Sequence, residues 1–346
     1  MPRRLRHLVL ACSLSLLATP ALAAKTKPAE KSRGPSPSAQ TRDKAQLAFQ
    51  RDLVTVLAPG GDPTRLLGAA LLARPLFNQP PSNSFHRLIE RASQAEGASV
   101  AVNWVQLADC DAEADACPNN DALSSLLKRA PDNAAVWLVK LGDDARGMKQ
   151  DDAREDLAKA AAAKLYDDYS GASLQALASS VGVLPPPPDT LDPAHPGGAV
   201  GMQTVMVFGL ADSQPQPSLP LVAKLCENAG KDASIKADCL ALGKTLEWGS
   251  SPLARSLGLH LREVLSDDPA AQQEAKAARR TLVWQVQNFT QLLARAPDDA
   301  ALSQRLLTLA RKGGTQMSLQ LAALRENHIA IDPPADWQPR AAGSRE

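Results

Sequence analysis

Residues 129–147 read RAPDNAAVWLVKLGDDARG, and residues 295–313 read RAPDDAALSQRLLTLARKG. The two stretches align without a gap at an offset of 166, and the echo extends back to Leu126-Leu127 against Leu292-Leu293. In the first copy, Asp132 is placed to cap a helix on which Ala135, Leu138, Val139 and Leu141 share a face, with Trp137 at its edge. Asp298 takes the same place in the second copy. Gly147 and Gly313 mark the stops, where a helix ends on a left-handed residue. After a turn, a second helix starting at Asp151-Asp152 puts Ala153, Leu157, Ala160 and Ala161 on one face. Such an antiparallel pair cannot bury both its faces alone, so neighbouring helices are expected to stack on it.

The rest of the chain carries the same signal. Apolar residues recur at spacings of three and four, and alternating β-branched runs are almost absent. The best strand candidate, Thr204 to Phe208, lies inside an apolar stretch from Ala199 to Ala211 that fits a buried helix equally well. Only 12 of the 346 residues are aromatic, which favours close-packed Ala/Leu helices over a sandwich or barrel. Fifteen helices are expected: 43–57, 63–74, 84–95, 98–108, 121–129, 133–146, 151–165, 171–182, 197–212, 218–228, 233–247, 252–265, 269–295, 299–311 and 316–327. Pro269, after Asp267-Asp268, suits a first helical turn. The fold class expected is therefore all-α: an antiparallel helix-hairpin array, an α/α superhelix of repeat-like units.

Proline breaks the array. Residues 183–198 read VLPPPPDTLDPAHPGG, and Pro185 to Pro188 should form an extended polyproline II rod. A second break, SQPQPSLP, covers 213–220. These divide the chain into an N-terminal helical array (43–182), a proline-rich connector with one bridging helix (183–220) and a C-terminal array (221–335). A tail at 336–346 follows.

The N-terminal end reads as an export signal of bacterial type. Arg3, Arg4 and Arg6 precede an apolar run from Leu8 to Leu17 and an A-x-A site at Ala21-Leu22-Ala23. Cleavage after Ala23 leaves a mature chain with 35 basic and 37 acidic residues, net −2. No basic patch of the kind that binds nucleic acid is visible, and no later apolar stretch is long enough to span a membrane. Residues 24–42, rich in Lys, Pro, Ser and Gly, lack the apolar mass to offset chain entropy and read as a disordered linker. Four cysteines remain after cleavage: Cys110, Cys117, Cys226 and Cys239. In an exported chain an even number points to disulfides. The local pairing, Cys110–Cys117 and Cys226–Cys239, would staple two helix-to-helix corners.

The hairpin resembles tetratricopeptide-like repeats. Trp137 matches the family's first-helix aromatic. Ala153, Leu157 and Ala160 stand where the family places its Ala, aromatic and Ala, and Pro131 stands where the preceding repeat would end. Lys140, Leu141 and Asp144 depart from the family's Leu, Gly and Tyr. The later copy keeps Pro297 but has Ser303 in place of the Trp. The likeness covers about one and a half units, roughly 60 residues. It implies a helix-hairpin array with a grooved surface for a protein or peptide.

Catalytic signatures are sparse. His86, His195, His260 and His328 form no metal-ligand spacing, neither cysteine pair is C-x-x-C, and there is no G-x-S-x-G elbow or phosphate-cradling glycine loop. No catalytic, cofactor or metal residue is assigned. The cluster Tyr166-Asp167-Asp168-Tyr169 holds both tyrosines of the chain. It reads either as a ligand patch or as a corner in which Asp168 caps the next helix. Trp137, Tyr166 and Tyr169 are the candidate binding surface. The function expected is non-catalytic protein–protein interaction or scaffolding by a periplasmic or secreted chain, with a protein or peptide partner in the cell envelope. The alternative is a hydrolase acting on envelope polymers, which requires a deep cleft holding a carboxylate of raised pKa.

Overall fold

The computed structural model describes residues 37–111, 116–211 and 214–339. The export signal and most of the linker lie outside the described residues. Fifteen α-helices are present among these residues: α1 (Pro37–Leu57), α2 (Pro63–Ala73), α3 (Phe85–Gln94), α4 (Val100–Gln106), α5 (Asn120–Arg129), α6 (Ala134–Arg146), α7 (Gln150–Ala162), α8 (Ser170–Ser180), α9 (Gly198–Ala211), α10 (Leu219–Glu227), α11 (Ala233–Leu246), α12 (Pro252–Leu265), α13 (Pro269–Arg295), α14 (Ala300–Lys312) and α15 (Gln316–Glu326). No strand occurs among them beyond an isolated bridge between Asn133 and Leu165. The fold is all-α. Each expected helix is found, including one over the ambiguous Thr204 to Phe208. Residues 37–42, read from composition as disordered, are the first turns of α1.

The sequence echo is also a structural echo. α6 and α14 are both 13 residues long and begin and end at matching positions. α5 and α13 end, and α7 and α15 begin, at the same offset. The caps fall one residue later than expected. Asn133 accepts from the Ala135 N–H and Asp299 from the Leu302 N–H. The residues expected to cap are engaged elsewhere: Asp132 pairs with Lys164 and Asp298 with His195, each at 2.7 Å. Gly147 sits at φ −71°, so the left-handed residue of that turn is Met148, at φ 58°; Gly313 does take φ 76°. Pro269 opens α13 behind the cap Asp268.

Two large apolar cores, with a small third cluster of Leu259, Leu282 and Met317, hold the helices together. One contains Phe49, Leu53, Leu72, Leu88, Leu177, Val207, Leu306 and Leu324, drawn from α1, α2, α3, α8, α9, α14 and α15. The other contains Trp104, Leu126, Leu138, Leu157, Val222, Leu242 and Leu261, drawn from α4 to α7 and α10 to α12. Each core therefore takes helices from both sides of the proline stretch, and that stretch does not divide the packing. α2 packs against α8, α7 against α11 and α8 against α14, contacts that join segments far apart in the chain. A linear stack of nearest neighbours makes no such contacts.

The proline connector is folded down rather than held out as a rod. Pro187 is extended (φ −60°, ψ 149°), but Pro188–Thr190 form a 3₁₀ turn closed by the Thr190 hydroxyl donating to the Pro187 carbonyl at 2.6 Å. Thr190 is fully buried, and its carbonyl accepts from Gln46 of α1 at 2.9 Å. The disulfides have the local pairing: Cys110–Cys117 closes the turn before α5, and Cys226–Cys239 joins α10 to α11 inside the second core.

Candidate functional site

α9 departs from the usual pattern of a surface helix. Its sequence, GAVGMQTVMVFGLA, contains no charged residue. A helix apolar on every side is expected to be covered on every side. Here the covered side holds the polar residues. Gln203 points inward and donates to the Val181 carbonyl at 2.7 Å, and the Thr204 hydroxyl donates back to the Val200 carbonyl at 2.9 Å. The opposite side, with Met202, Val205, Met206 and Gly209, lines an open groove of about 660 Å³. Val205 is 53% exposed.

The other wall of the groove is α1, through Arg42, Gln46, Leu47 and Gln50. Hydrogen bonds fix this wall in place. Gln50 donates to the Leu72 carbonyl at 2.6 Å, and Arg42 pairs with Asp192 of the connector at 2.7 Å. At the far end His195 meets Asp298 at 2.7 Å beside Pro297. Gly197 is required there: its N–H donates to the Pro297 carbonyl at 2.8 Å, and a Cβ on it would lie 2.3 Å from that oxygen. The site is thus a preformed apolar slot with a few charges at its rim, the build of a binding cleft.

The carboxylates that burial pushes upward are elsewhere. Between α6 and α7, burial lifts the Asp156 carboxyl to about 6 against the pull of Lys140 at 3.0 Å. Burial also works on its neighbour Asp144, but hydrogen bonds with Lys140, Asp156 and Lys149 and the charge of Lys140 outweigh it and leave that carboxyl below its ordinary range. Burial raises Asp167 at the corner between α7 and α8. None of these lines the groove. No group of three or more His, Cys, Asp or Glu side chains stands close enough to hold a metal ion among the described residues.

The residues singled out in the sequence fall at a different place. Tyr166 is 3% exposed inside the second core and offers no surface to a partner; burial drives its hydroxyl pKa well above the ordinary value. Tyr169 is half-buried at φ 53°, its ring 5.6 Å from Trp104 and its hydroxyl accepting from Asn133 at 3.2 Å. Trp137 is half-buried, donates to the Pro131 carbonyl at 2.7 Å and carries Lys159 over its ring at 4.9 Å. Asp168 is fully buried and accepts from the Ser170 N–H and hydroxyl and from the Ser250 hydroxyl. The cluster is therefore a structural corner. It pins the start of α8 to residues 249–251 before α12, and Ser250 in turn accepts from the Met317 N–H of α15.

Sequence reasoning did not select the groove. Its one local signal was the charge-free stretch of α9, read as a buried helix. Compared with known proteins, the chain matches no family model, no curated protein and no solved structure.

Proposed function

We propose that this chain is a non-catalytic protein-interaction module of the bacterial cell envelope, exported to the periplasm or beyond, and that the groove between α1 and α9 receives its partner. The observation that carries the reading is the inverted α9: polar side chains face the interior, while Met202, Val205 and Met206 face the groove. Open apolar surface of this kind is characteristic of an interface. The likeness of the α6–α7 hairpin to tetratricopeptide-like units agrees with a binding scaffold. The two disulfides suit an oxidising compartment, and no described helix is long and apolar enough to cross a membrane. A hydrolase would need an acid of raised pKa at the cleft, and the carboxyls that burial raises, Asp156 and Asp167, do not line the groove.

The test is a pull-down from native envelope extract with the mature chain and with Gly209→Leu. A Cβ at Gly209 meets nothing within 4 Å, and leucine favours a helix over glycine, so the variant folds and fills the slot. A stoichiometric, salt-resistant partner retained by the wild type and lost by the variant is the expected result. Equal retention would remove the groove from the proposal.

A further inference from the structure

The groove runs along one face of α9. Along α9, Gly198, Met202, Val205 and Gly209 recur at spacings of three and four, one stripe along a helix about 21 Å long. A Cβ at Gly198 or Gly209 would meet nothing within 4 Å, so both ends of the stripe leave room for another backbone to come close. The two methionines between them are flexible and polarisable and can repack around a ridge of side chains. With α1 as the second wall, this is a slot between two helices of the kind that takes the apolar face of a third.

The rim sets the charge of the occupant. Arg42 is held by Asp192, and His195 is held by Asp298. Asp43 is exposed at the groove and makes no ion pair among the described residues. The acids thus outnumber the fixed cation along the slot. We infer that the occupant is an amphipathic α-helix of a partner protein, with its apolar face on Met202, Val205 and Met206 and a lysine or arginine against Asp43. This rests on the groove being the protein-binding surface.

The experiment uses the full mature chain and two helical peptides of about 15 residues. Both have the same Leu/Ala face; one has a lysine-rich polar face and the other a glutamate-rich one. Fluorescence anisotropy should show saturable binding of the lysine peptide and about fivefold weaker binding of the glutamate peptide. Asp43→Lys should erase or reverse that preference, and Gly209→Leu should abolish both. No saturable binding of the lysine peptide, equal binding of the two peptides, or a preference unmoved by Asp43→Lys would overturn the inference. So would binding to phosphatidylglycerol vesicles that Gly209→Leu abolishes, which would assign the slot to a membrane. If the peptides fail while the pull-down still depends on Gly209, the helical occupant is wrong and the groove reading stands. If Gly209→Leu changes neither assay, the groove reading falls as well.

Discussion

Asn133 and Asp299 occupy equivalent positions in the two copies of the echo, yet they carry different structural weight. Asp299 makes one cap bond, to the Leu302 N–H at 2.9 Å. Asn133 is 2% exposed and makes four bonds: it accepts from the Ala135 and Asp167 N–H groups and donates to the Asp167 carbonyl and the Tyr169 hydroxyl. Losing an exposed cap costs about 1 kcal/mol, whereas stranding buried partners adds the desolvation of each. Asn133→Ala should therefore cost about 3 kcal/mol in urea denaturation and Asp299→Ala about 1 kcal/mol. Equal losses would show that Asn133 is only a cap. The position of the caps was not legible in the sequence, because Asp132-Asn133 and Asp298-Asp299 each offer two capping side chains in a row. The choice is made by partners distant in the chain, Lys164 and His195, which take the first acid of each pair.

At the scale of elements, α6 and α7 are joined by a buried charge cluster with a defined pH response. Lys140 bonds Asp144 on its own helix and Asp156 on the facing one, and Asp156 is 1% exposed. Burial raises Asp156 from 3.8 to about 6, so the folded chain holds that proton more tightly than the unfolded chain does. This contribution to stability is fully present below about pH 3.8 and is lost as pH rises through about 6. Asp144, held below its ordinary value, has the opposite dependence: its contribution is present above about pH 3.8 and is lost as pH falls from there through the lower folded pKa. Asp156→Asn should flatten the pH dependence of unfolding between pH 4 and 6. It should also gain stability relative to the wild type at pH 7.5, by at most about 3 kcal/mol. Parallel curves for the two proteins would contradict this assignment. The helices themselves were legible because periodicity is a local property: the spacing of apolar residues located even α4, only seven residues long. The charge cluster was not, since nothing in the spacing of Lys140, Asp144 and Asp156 states which faces meet.

At the scale of the molecule, proline content is a poor guide to where this fold divides. The stretch around Pro185 to Pro188 breaks helices, as its chemistry requires, but both cores take helices from either side of it. Contacts such as α2 with α8 and α7 with α11 are set by side-chain complementarity between distant segments, which single-chain periodicity does not encode. The aromatic residues misled for the same reason. Tyr166 is unusual in the sequence because it anchors a corner where α8 meets the approach to α12, and a tyrosine so placed is covered. The groove arises only once α1 and α9 are placed side by side, with the charge-free helix covered on one face alone. The most direct measurement of its role is photocrosslinking in living cells from a benzoyl-phenylalanine at Val205, in the groove, against one at Val264 on α12, which is also exposed. The expected result is one discrete protein adduct from position 205 and none from 264. No adduct from 205, or the same adducts from both positions, would contradict the assignment of the groove as the partner's seat.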